Sequence, residues 1–322
     1  MRKIKRIVLR ILAETLFIVL WVLSLLPLRV GYFFSDCMYP IVYYVVRYRR
    51  RVVRRNLSSS FPEKTEEEIV AIEKKFYHWF CDYIVETFKM MTIGEKEMAR
   101  RMSFEGMDVV RECIGEGQSV AIFLGHYCNW EWISTLPLAA PKEALCAELY
   151  HPLENPEFDK LFLYMRQRFK SVCLPMHEAL RHIIKYRNEG QPLIVGYIAD
   201  QKPLWHNIHF WMPFLGHDTP MLTGSDRIVQ RMNQAVIYAE VTRPRRGYYV
   251  CELKLITRNP QELGEYGITR EYMTRLEESI RRQPAYWLWS HDRWSRTHEE
   301  FDRRFYEKDG KVFEKEAEKE RA

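Results

Sequence analysis

Several common sequence signatures are missing from this chain of 322 residues. Its seven cysteines are an odd number and include no C-x-x-C pair, which excludes a disulfide framework and a zinc knuckle. Unpaired thiols fit a reducing, cytosol-facing compartment. The chain has neither a glycine-rich phosphate loop nor a nucleic-acid-binding module, although its pI is about 8.8. Internal repeats and low-complexity linkers are also missing, which favours one main domain.

A long uninterrupted apolar run is missing as well. Residues 16 to 34, LFIVLWVLSLLPLRVGYFF, approach the roughly 20 residues that a membrane-spanning helix needs, but Pro27 and Arg29 interrupt them. No small-residue cleavage site follows, so a cleaved signal peptide is not expected. A second apolar run occupies residues 38 to 46, and basic residues flank both runs. Such flanks favour an interfacial or re-entrant membrane anchor in residues 1 to 46 over a single crossing. A buried core helix is the alternative.

The positive charge of the chain is concentrated directly after this predicted anchor. The chain has 49 Lys and Arg residues against 43 Asp and Glu residues, a net charge of +6. Six arginines stand close together after the second apolar run: Arg47, Arg49, Arg50, Arg51, Arg54 and Arg55. The cluster predicts contact with an anionic membrane surface or an acidic partner. A solvated basic helix face is the alternative.

From residue 102 onward, short apolar runs alternate with helical segments. Six runs have the length and composition of strands: SVAIFL, ALCAEL, SVCLP, PLIVGYIA, AVIYAEV and YYVCELKLI. Their alternation with segments such as NPEFDKLFLYMRQRF predicts an α/β fold with a mostly parallel central sheet flanked by helices. Pro244 and Gly247, between the last two runs, predict a late hairpin.

The simplest partition of the chain has four parts. They are a membrane anchor at residues 1 to 46, a basic and helical lead-in at 47 to 101, the α/β domain at 102 to 305 and a charged tail at 306 to 322. Within the lead-in, Thr65 and Glu68 predict a capping box at the start of a long helix. The composition of the tail predicts a frayed helix or a disordered segment.

The stretch AIFLGHYCNWEW, residues 121 to 132, combines an apolar strand with His126 and Glu131. The predicted fold puts Gly125 and His126 at the carboxyl end of a strand, where open α/β sheets gather catalytic groups. Glu131, in the first turns of a following helix, is expected to hydrogen-bond one imidazole nitrogen and make the other a general base. The helix start at Asn129 offers backbone N–H donors for substrate binding at a developing oxyanion. A structural histidine is the alternative, because this spacing alone is weakly specific.

Five ordered stretches resemble one protein family. HYCNWE resembles the H-x4-D/E motif of glycerolipid and lipid A acyltransferases. RRNLSSSFPEKTEEE resembles the segment R-x-N-L-x-x-x-F-P-E that follows the family's membrane anchor, and ELYHPLENPEFDKLF resembles its Y-R-P and N-P-x-x-D block. IADQ with MPFLGHDTPMLTG, and then PAYWLWSHDRW, resemble its two later blocks. The chain is thus similar, over most of residues 50 to 305, to the late, lauroyl/myristoyl-type acyltransferases of lipid A biosynthesis, within the H-x4-D/E lysophospholipid acyltransferase superfamily.

The resemblance implies a glycerolipid-acyltransferase-like fold and an acyltransferase activity. The expected reaction moves a fatty acyl chain from the thioester of acyl carrier protein, or of CoA, to a hydroxyl of a glycolipid, a lipid A precursor. His126 would be the general base and Glu131 its orienting carboxylate, without a metal or another cofactor, at the cytoplasmic face of the cell inner membrane. Residues in the matched blocks would bind substrate: Tyr150, His151, Asp200 and Arg293. The six arginines would contact the membrane or the acidic carrier protein.

Two departures from the family pattern leave the acceptor open. His151 stands where the family typically has arginine, so a fixed positive charge is replaced by one that titrates near neutrality. Ala199 stands where proline is common before Asp200. The alternatives are a same-fold acyltransferase for a lysophospholipid, an aminolipid or a mannosylated inositol lipid, a thioesterase, and a non-catalytic membrane adaptor. Zinc is not expected at three nearby histidines, which lack acidic or cysteine partners at ligand spacing: His206, His209 and His217.

Overall fold

A computed structural model describes the backbone of residues 2 to 315 and the side chains of residues 14 to 315. Within this range, five helices precede the first strand: α1 (Arg2–Leu25), α2 (Leu28–Pro40), α3 (Arg50–Ser60), α4 (Glu66–Lys89) and α5 (Glu95–Arg101). A π-helical stretch, Ile41–Val46, continues α2. The predicted capping box at the start of α4 is confirmed, because the side chains of Thr65 and Glu68 each accept the other residue's backbone N–H.

The strands of the α/β part follow. They are β1 (Met102–Glu105), β2 (Val120–Leu124), β3 (Leu145–Tyr150), β4 (Val172–Pro175), β5 (Leu193–Ile198), β6 (Trp211–Phe214), β7 (His217–Pro220), β8 (Ala235–Arg245) and β9 (Tyr248–Thr257). Seven of them form the main sheet in the order β1, β9, β8, β2, β5, β3, β4, and β6 pairs with β7 separately. Every neighbouring pair in the main sheet is parallel except the β8–β9 hairpin. The predicted mostly parallel sheet and the late hairpin are therefore confirmed.

Helices cover the sheet and connect its strands. They are α6 (Met107–Gly115), α7 (Pro156–Gln167), α8 (Ala179–Asn188), α9 (Gly224–Met232), α10 (Gly267–Arg282) and α11 (His298–Arg304). The segment NWEWISTLPL, predicted as a helix, forms a 3-10 helix at Glu131–Leu138 that contains Pro137. A 3-10 helix is tighter than an α-helix, which changes the direction in which Glu131 points relative to His126.

Strand β2 lies in the middle of the main sheet. All five of its residues are buried, with β5 on one side and β8 on the other. An apolar strand without polar alternation is expected where helices cover both faces of a parallel sheet. His126, two residues beyond the end of β2, therefore lies at the carboxyl edge of the central strand, where the sequence predicted it.

The prediction of a disordered or frayed tail is wrong for residues 306 to 314, which belong to a hairpin that begins at Phe305. The hairpin is antiparallel and consists of β10 (Phe305–Lys308) and β11 (Lys311–Glu314). The hairpin buries Phe305 and Val312 in a small cluster with Ile208 and Phe301. This local burial of apolar side chains explains why a charged segment is ordered here. The rest of the predicted tail, residues 316 to 322, lies outside the described residues.

In the described part of the chain, no single helix is long and apolar enough to cross a membrane. One bent pair, Glu14–Leu25 with Leu28–Val46, meets the requirements of length and composition only when both helices are taken together, with a bend of 120° between them.

Candidate active site

The imidazole of His126 is held by Asp200. Asp200 follows β5, the direct neighbour of β2, so both residues lie at the same edge of the sheet. Asp200 Oδ1 is 2.6 Å from His126 Nδ1, and Asp200 Oδ2 accepts the backbone N–H of His126 at 2.9 Å. An Nδ1–H that donates to the carboxylate leaves Nε2 as the nitrogen that can accept a proton.

The surroundings of Asp200 keep it ionised. Its side chain is buried, and burial by itself would raise its pKa. The charge of His126 and the hydrogen bonds from His126 and Trp287 outweigh this effect and lower the pKa of Asp200 to about 2. The indole N–H of Trp287 donates to Asp200 Oδ2 at 2.8 Å. A carboxylate that stays charged near neutral pH is suited to stabilise an imidazolium during catalysis.

Gln201 and Trp130 surround the other side of the imidazole. Gln201 Nε2 lies 3.2 Å from His126 Nε2, so the amide is placed to donate a hydrogen bond to the basic nitrogen. The ring of Trp130 stands at 68° to the imidazole with 5.1 Å between the ring centres. Sequence reasoning missed Gln201, although it directly follows Asp200 in the matched IADQ stretch.

The turn that carries His126 is fixed by the chain segment around Trp287. Leu288 N–H donates to the carbonyl oxygen of His126 at 3.1 Å, and Cys128 N–H donates to that of Tyr286 at 2.8 Å. Cys128 is held at φ 53°, in the left-handed region that costs a non-glycine residue about 1 to 2 kcal/mol. The turn is thus held in one conformation by contacts with a segment far along the chain.

Gly125 allows other groups to approach the start of this turn. A Cβ atom at position 125 would lie 2.6 Å from Leu276 Cδ1 on α10 and 3.3 Å from Asp200 Oδ2. Only glycine avoids the first of these contacts without a displacement of the Leu276 side chain. The close approach that the sequence predicted at Gly125 is therefore present.

Glu131 is bound by Arg166 and makes no hydrogen bond to His126. Arg166, on α7, donates from Nε at 2.8 Å and from Nη2 at 2.7 Å to the two carboxylate oxygens. A guanidinium matches both oxygens of a carboxylate, whereas His126 Nδ1 is already occupied by Asp200. The prediction that Glu131 orients the imidazole is therefore wrong. Nothing in the local spacing indicates Arg166, which lies 35 residues further along the chain.

A second carboxyl group, Glu148, lies on the same side of the site. Cys173 donates its thiol to Glu148 Oε1 at 3.3 Å. Glu148 is half-buried in the cavity wall, and its desolvation by the surrounding protein raises its pKa to about 7 even though Arg166 lowers it. Glu148 can therefore be a hydrogen-bond donor or an acceptor near neutral pH, depending on its protonation.

His126, Gln201 and Glu131 face a cavity of about 600 Å³. This volume lies within the roughly 300 to 1,000 Å³ of ordinary ligand pockets. The cavity has an apolar part, which includes Ile122, Ile133, Leu136, Ile194 and Ile198. Its polar part includes Glu148 and Arg166. The imidazole of His126, which can accept a proton, therefore faces a cavity that suits a long apolar group.

The other predicted substrate-binding residues divide into two groups. Tyr150 and His151 line the cavity, as a role in substrate binding requires. Asn129 does not line it, because its side chain is fully buried and bonds Glu86 and the backbone of Trp132. The Asn129 side chain is therefore committed to these partners, while oxyanion binding by backbone N–H groups near Asn129 stays a prediction.

Asp200 and Arg293 are also absent from the cavity wall. Asp200 lies behind the imidazole and acts on it directly, as described above. Arg293 is fully buried, donates to the carbonyl oxygen of Pro220 at 2.6 Å and has no carboxylate partner within the described residues. Burial lowers the pKa of Arg293 to about 10, against the raising effect of Asp200. The prediction of direct substrate contacts by these two residues is therefore wrong.

The six arginines after the second apolar run have different environments. Arg50 and Arg54 both bind the buried carboxylate of Glu73. Arg55 pairs with Asp292, and Arg49 Nη1 donates to the carbonyl oxygen of Ser290 at 2.8 Å. The two remaining side chains, Arg47 and Arg51, are exposed. Arg50 and Arg54 therefore have a structural use, while the others stay candidates for external contacts.

The described residues include one group of possible metal ligands. This group, Asp36, His78 and Asp82, brings ligand atoms within 4.8 Å of one another. Arg246 hydrogen-bonds both carboxylates and Arg243 also bonds Asp82, so two cations already balance the two negative charges. The three histidines named above each have separate partners, which are Val312 for His206, Glu307 for His209 and Ser60 for His217.

A charged carboxylate, an oriented imidazole and an apolar cavity lie together at one edge of a mostly parallel sheet, an arrangement that suits an enzyme for a substrate with a large apolar part. The chain belongs to the family described as bacterial lipid A biosynthesis acyltransferase, whose sequence pattern matches residues 2–296. The protein is therefore an acyltransferase, and the predicted family is confirmed.

Individual relatives are similar at low identity. The chain is 23% identical to the lipid A biosynthesis lauroyltransferase of Escherichia coli (strain K12) over 282 residues, which are 85% of this chain and 88% of the relative. It is 18% identical to the lipid A biosynthesis acyltransferase of Haemophilus influenzae over 189 residues, which are 59% of this chain and 58% of the relative. The lipid A biosynthesis myristoyltransferase of Escherichia coli (strain K12) is 23% identical over 143 residues, which are 44% of this chain and 43% of the relative.

Proposed function

We propose that the protein transfers a fatty acyl chain from the thioester of acyl carrier protein to a hydroxyl of a lipid A precursor, at the cytoplasmic face of the cell inner membrane. The single observation that supports this most is the His126 imidazole, which presents Nε2 to the cavity while Asp200 holds Nδ1 at 2.6 Å. Membership of the lipid A acyltransferase family supports the choice of acceptor.

The proposed reaction needs one base and no covalent enzyme intermediate. His126 Nε2 takes the proton of the acceptor hydroxyl while its oxygen attacks the thioester carbonyl carbon. The tetrahedral intermediate then collapses, the C–S bond breaks, and the imidazolium returns its proton to the departing thiolate. Asp200 stabilises the imidazolium between the two steps. General-base assistance of this kind contributes about 10² to 10⁴ in rate.

Gln201 has a second role in this proposal. Its amide donates to His126 Nε2 before the substrate is bound, so an incoming hydroxyl must replace that hydrogen bond. The released amide N–H is then close to the reacting carbonyl and can donate to the developing oxyanion. Preorganised donors at such an oxygen act strongly because the site excludes water.

The surface between the amino-terminal helices and the cavity supports a membrane-associated substrate. Large apolar side chains are exposed on the bent pair and directly after it, among them Ile18, Val22, Leu25, Phe33, Phe34, Val45 and Val46. Phe17 of α1 packs on Tyr164 of α7, the helix that also contributes Arg166 to the cavity wall. Exposed apolar residues continue at the cavity wall with Leu153 and Leu204. Such a surface suits an interfacial anchor that brings the cavity next to lipid.

Around Lys202, one side of the cavity rim carries a local excess of positive charge. Lys202 lines the cavity beside Gln201 and donates to Ser295 at 2.6 Å. Burial and the nearby cations of Arg49, Arg293 and Arg296 lower the pKa of Lys202, against the raising effect of Asp292. This excess favours anionic substrate groups, such as those of a phosphorylated glycolipid or an acidic carrier protein.

The test uses the full-length protein in lipid vesicles with an acyl-carrier-protein thioester and a lipid A precursor. Mass spectrometry should detect acylated acceptor with the wild type and at least 100-fold less with His126→Ala, if the base contributes its usual share. His182→Ala, on the outer helix α8, is the matched control and should keep full activity. Free fatty acid without acceptor would indicate a thioesterase, no acylation by the wild type would indicate the non-catalytic adaptor, and full activity of His126→Ala would refute His126 as the base. Acylation of a lysophospholipid or an aminolipid instead would replace the acceptor.

A further inference from the structure

The buried carboxylate of Glu86 joins three distant parts of the chain. Glu86 lies on α4 and is fully buried. It accepts a hydrogen bond from the Tyr32 hydroxyl of α2 at 2.8 Å, from Asn129 Nδ2 at 2.8 Å and from the Tyr249 hydroxyl of β9 at 2.7 Å. Polar groups buried in this way are costly unless all are satisfied, so the network specifies one arrangement of α2, α4 and the His126 turn.

The connection to the His126 turn passes through Asn129. Asn129 Oδ1 accepts the backbone N–H of Trp132 at 3.1 Å, while Nδ2 donates to Glu86. The indole N–H of Trp132 donates to the backbone carbonyl oxygen of Glu86 at 3.0 Å. Both ends of the Asn129 amide are therefore fixed, and the segment directly after His126 is tied to α4.

The connection to α2 is equally specific. A Cβ atom added to Gly31 would lie 2.7 Å from Val85 Cγ1, so α2 and α4 are in close contact. Ser35 of α2 donates to Asp82 Oδ1 at 2.6 Å, one turn of α4 before Glu86. Phe33 and Phe34 of the same helix are exposed on its outer side. The helix with the exposed apolar surface is thus docked through buried polar groups, and one of them leads to the His126 turn.

We propose that Glu86 is a positioning residue that makes the acyl transfer rate depend on the docked position of α2. The proposal rests on the function given above, because it concerns the same His126. Tyr32, Glu86 and Asn129 form a chain of hydrogen bonds from α2 to the turn. Loss of the Tyr32 hydroxyl leaves one carboxylate oxygen of Glu86 without its donor from α2, and the position of the turn is then less restricted.

The test compares two substitutions on α2 that each remove one hydroxyl. Tyr32→Phe removes the bond to Glu86, and Ser35→Ala, the matched control, removes the bond to Asp82. We expect Tyr32→Phe to lower kcat about 5- to 20-fold with KM changed less than 2-fold, the effect of one buried hydrogen bond to a carboxylate. Ser35→Ala should change kcat less than 2-fold. Equal effects of the two substitutions, or an unchanged kcat in Tyr32→Phe, would overturn the proposal.

Two further measurements separate positioning from general stability. In Glu86→Gln, an amide oxygen still accepts from Asn129 and Tyr249, and the amide N–H can donate to the Tyr32 oxygen. Glu86→Gln should therefore keep most of the kcat that Glu86→Met loses. The losses in Tyr32→Phe and Asn129→Ala should also be less than multiplicative in the double variant, because both break one chain. Multiplicative losses would contradict the proposal even if Glu86→Met fails to fold. A wild type without acyl transfer would instead refute the proposed function.

Discussion

The identity of the carboxylate that orients His126 can be tested by one pair of substitutions. In Asp200→Asn the amide oxygen can still accept from Trp287 and the backbone of His126, but the amide N–H₂ then faces Nδ1. The imidazole is driven to the tautomer that carries its proton on Nε2, the nitrogen that must accept the hydroxyl proton. The corresponding change in a Ser-His-Asp triad lowers kcat about 10⁴-fold. We expect a loss of about 10³ to 10⁴ here, or about 4 to 5 kcal/mol of transition-state stabilisation.

The same substitution has a predictable effect on stability. Folding lowers the pKa of Asp200 from 3.8 to about 2. Such a shift contributes about 2 kcal/mol to the free energy of unfolding at pH values above 3.8, and this contribution is lost as the pH falls through 2. Asp200→Asn should therefore lower the free energy of unfolding by about this amount at pH 7, which is small beside the catalytic loss.

Glu131→Gln is the comparison. Glu131 and Arg166 are 5% and 21% exposed and bonded through two hydrogen bonds. Breaking a buried pair leaves one charge unmatched and costs about 3 to 5 kcal/mol of stability. We expect a lower midpoint of urea unfolding, a higher KM and a smaller fall in kcat than in Asp200→Asn. Steady-state kinetics of the folded fraction measures both variants, and a kcat that falls 10³-fold in Glu131→Gln but less than 10-fold in Asp200→Asn would refute the assignment.

Three further predictions concern the cavity and its surroundings. Folding raises the pKa of Glu148 from 4.5 to about 7, so the folded state is more stable when Glu148 is neutral. The free energy of unfolding of the wild type should therefore fall by up to about 3 kcal/mol between pH 4.5 and pH 8. Glu148→Gln should remove this loss in urea titrations, and an unchanged pH dependence would contradict it. Gly125→Ala puts a Cβ atom against Leu276 and should lower the free energy of unfolding by about 1 to 3 kcal/mol in a thermal melt. An unchanged melting temperature would show that this contact is relieved at little cost. Lys202→Met should raise KM for the acyl carrier protein at low salt, with the difference from wild type disappearing at about 1 M salt, and a salt-independent difference would contradict the electrostatic role.

The central sheet could be predicted because its information is local. Strands such as β2 and β5 are short, continuous apolar runs between helical segments, and such runs have few alternatives in an α/β chain. The position of His126 at the carboxyl edge follows from the same pattern. The hairpin of residues 305 to 314 was missed because its few apolar residues find partners, such as Ile208, that are distant in sequence.

The partner of His126 could not be predicted from spacing. Glu131 and Asp200 are both carboxylates near the imidazole in the predicted fold, and the choice between them depends on tertiary contacts. Arg166 reaches Glu131 from α7, while the register of β5 beside β2 brings Asp200 to Nδ1. The family resemblance had already indicated Asp200 as a site residue, but its position beside His126 Nδ1 is seen only in the structure. The 3-10 geometry at Glu131–Leu138, with Pro137 inside it, was likewise not indicated by the apolar pattern.

The pairing of the His126 turn with Tyr286, Trp287 and Leu288 has a consequence for biosynthesis. A ribosome makes the strand before His126 and the loop with Asp200 well before it makes the segment that donates to His126 and Asp200. At about 5 to 20 residues per second, the interval between the synthesis of Asp200 and that of Trp287 lasts roughly 4 to 17 s. During that time the nascent chain contains His126 but not Trp287 and Leu288, whose hydrogen bonds fix the His126 turn and Asp200. Activity is therefore delayed until translation is nearly finished, when the amino-terminal helices have already left the ribosome.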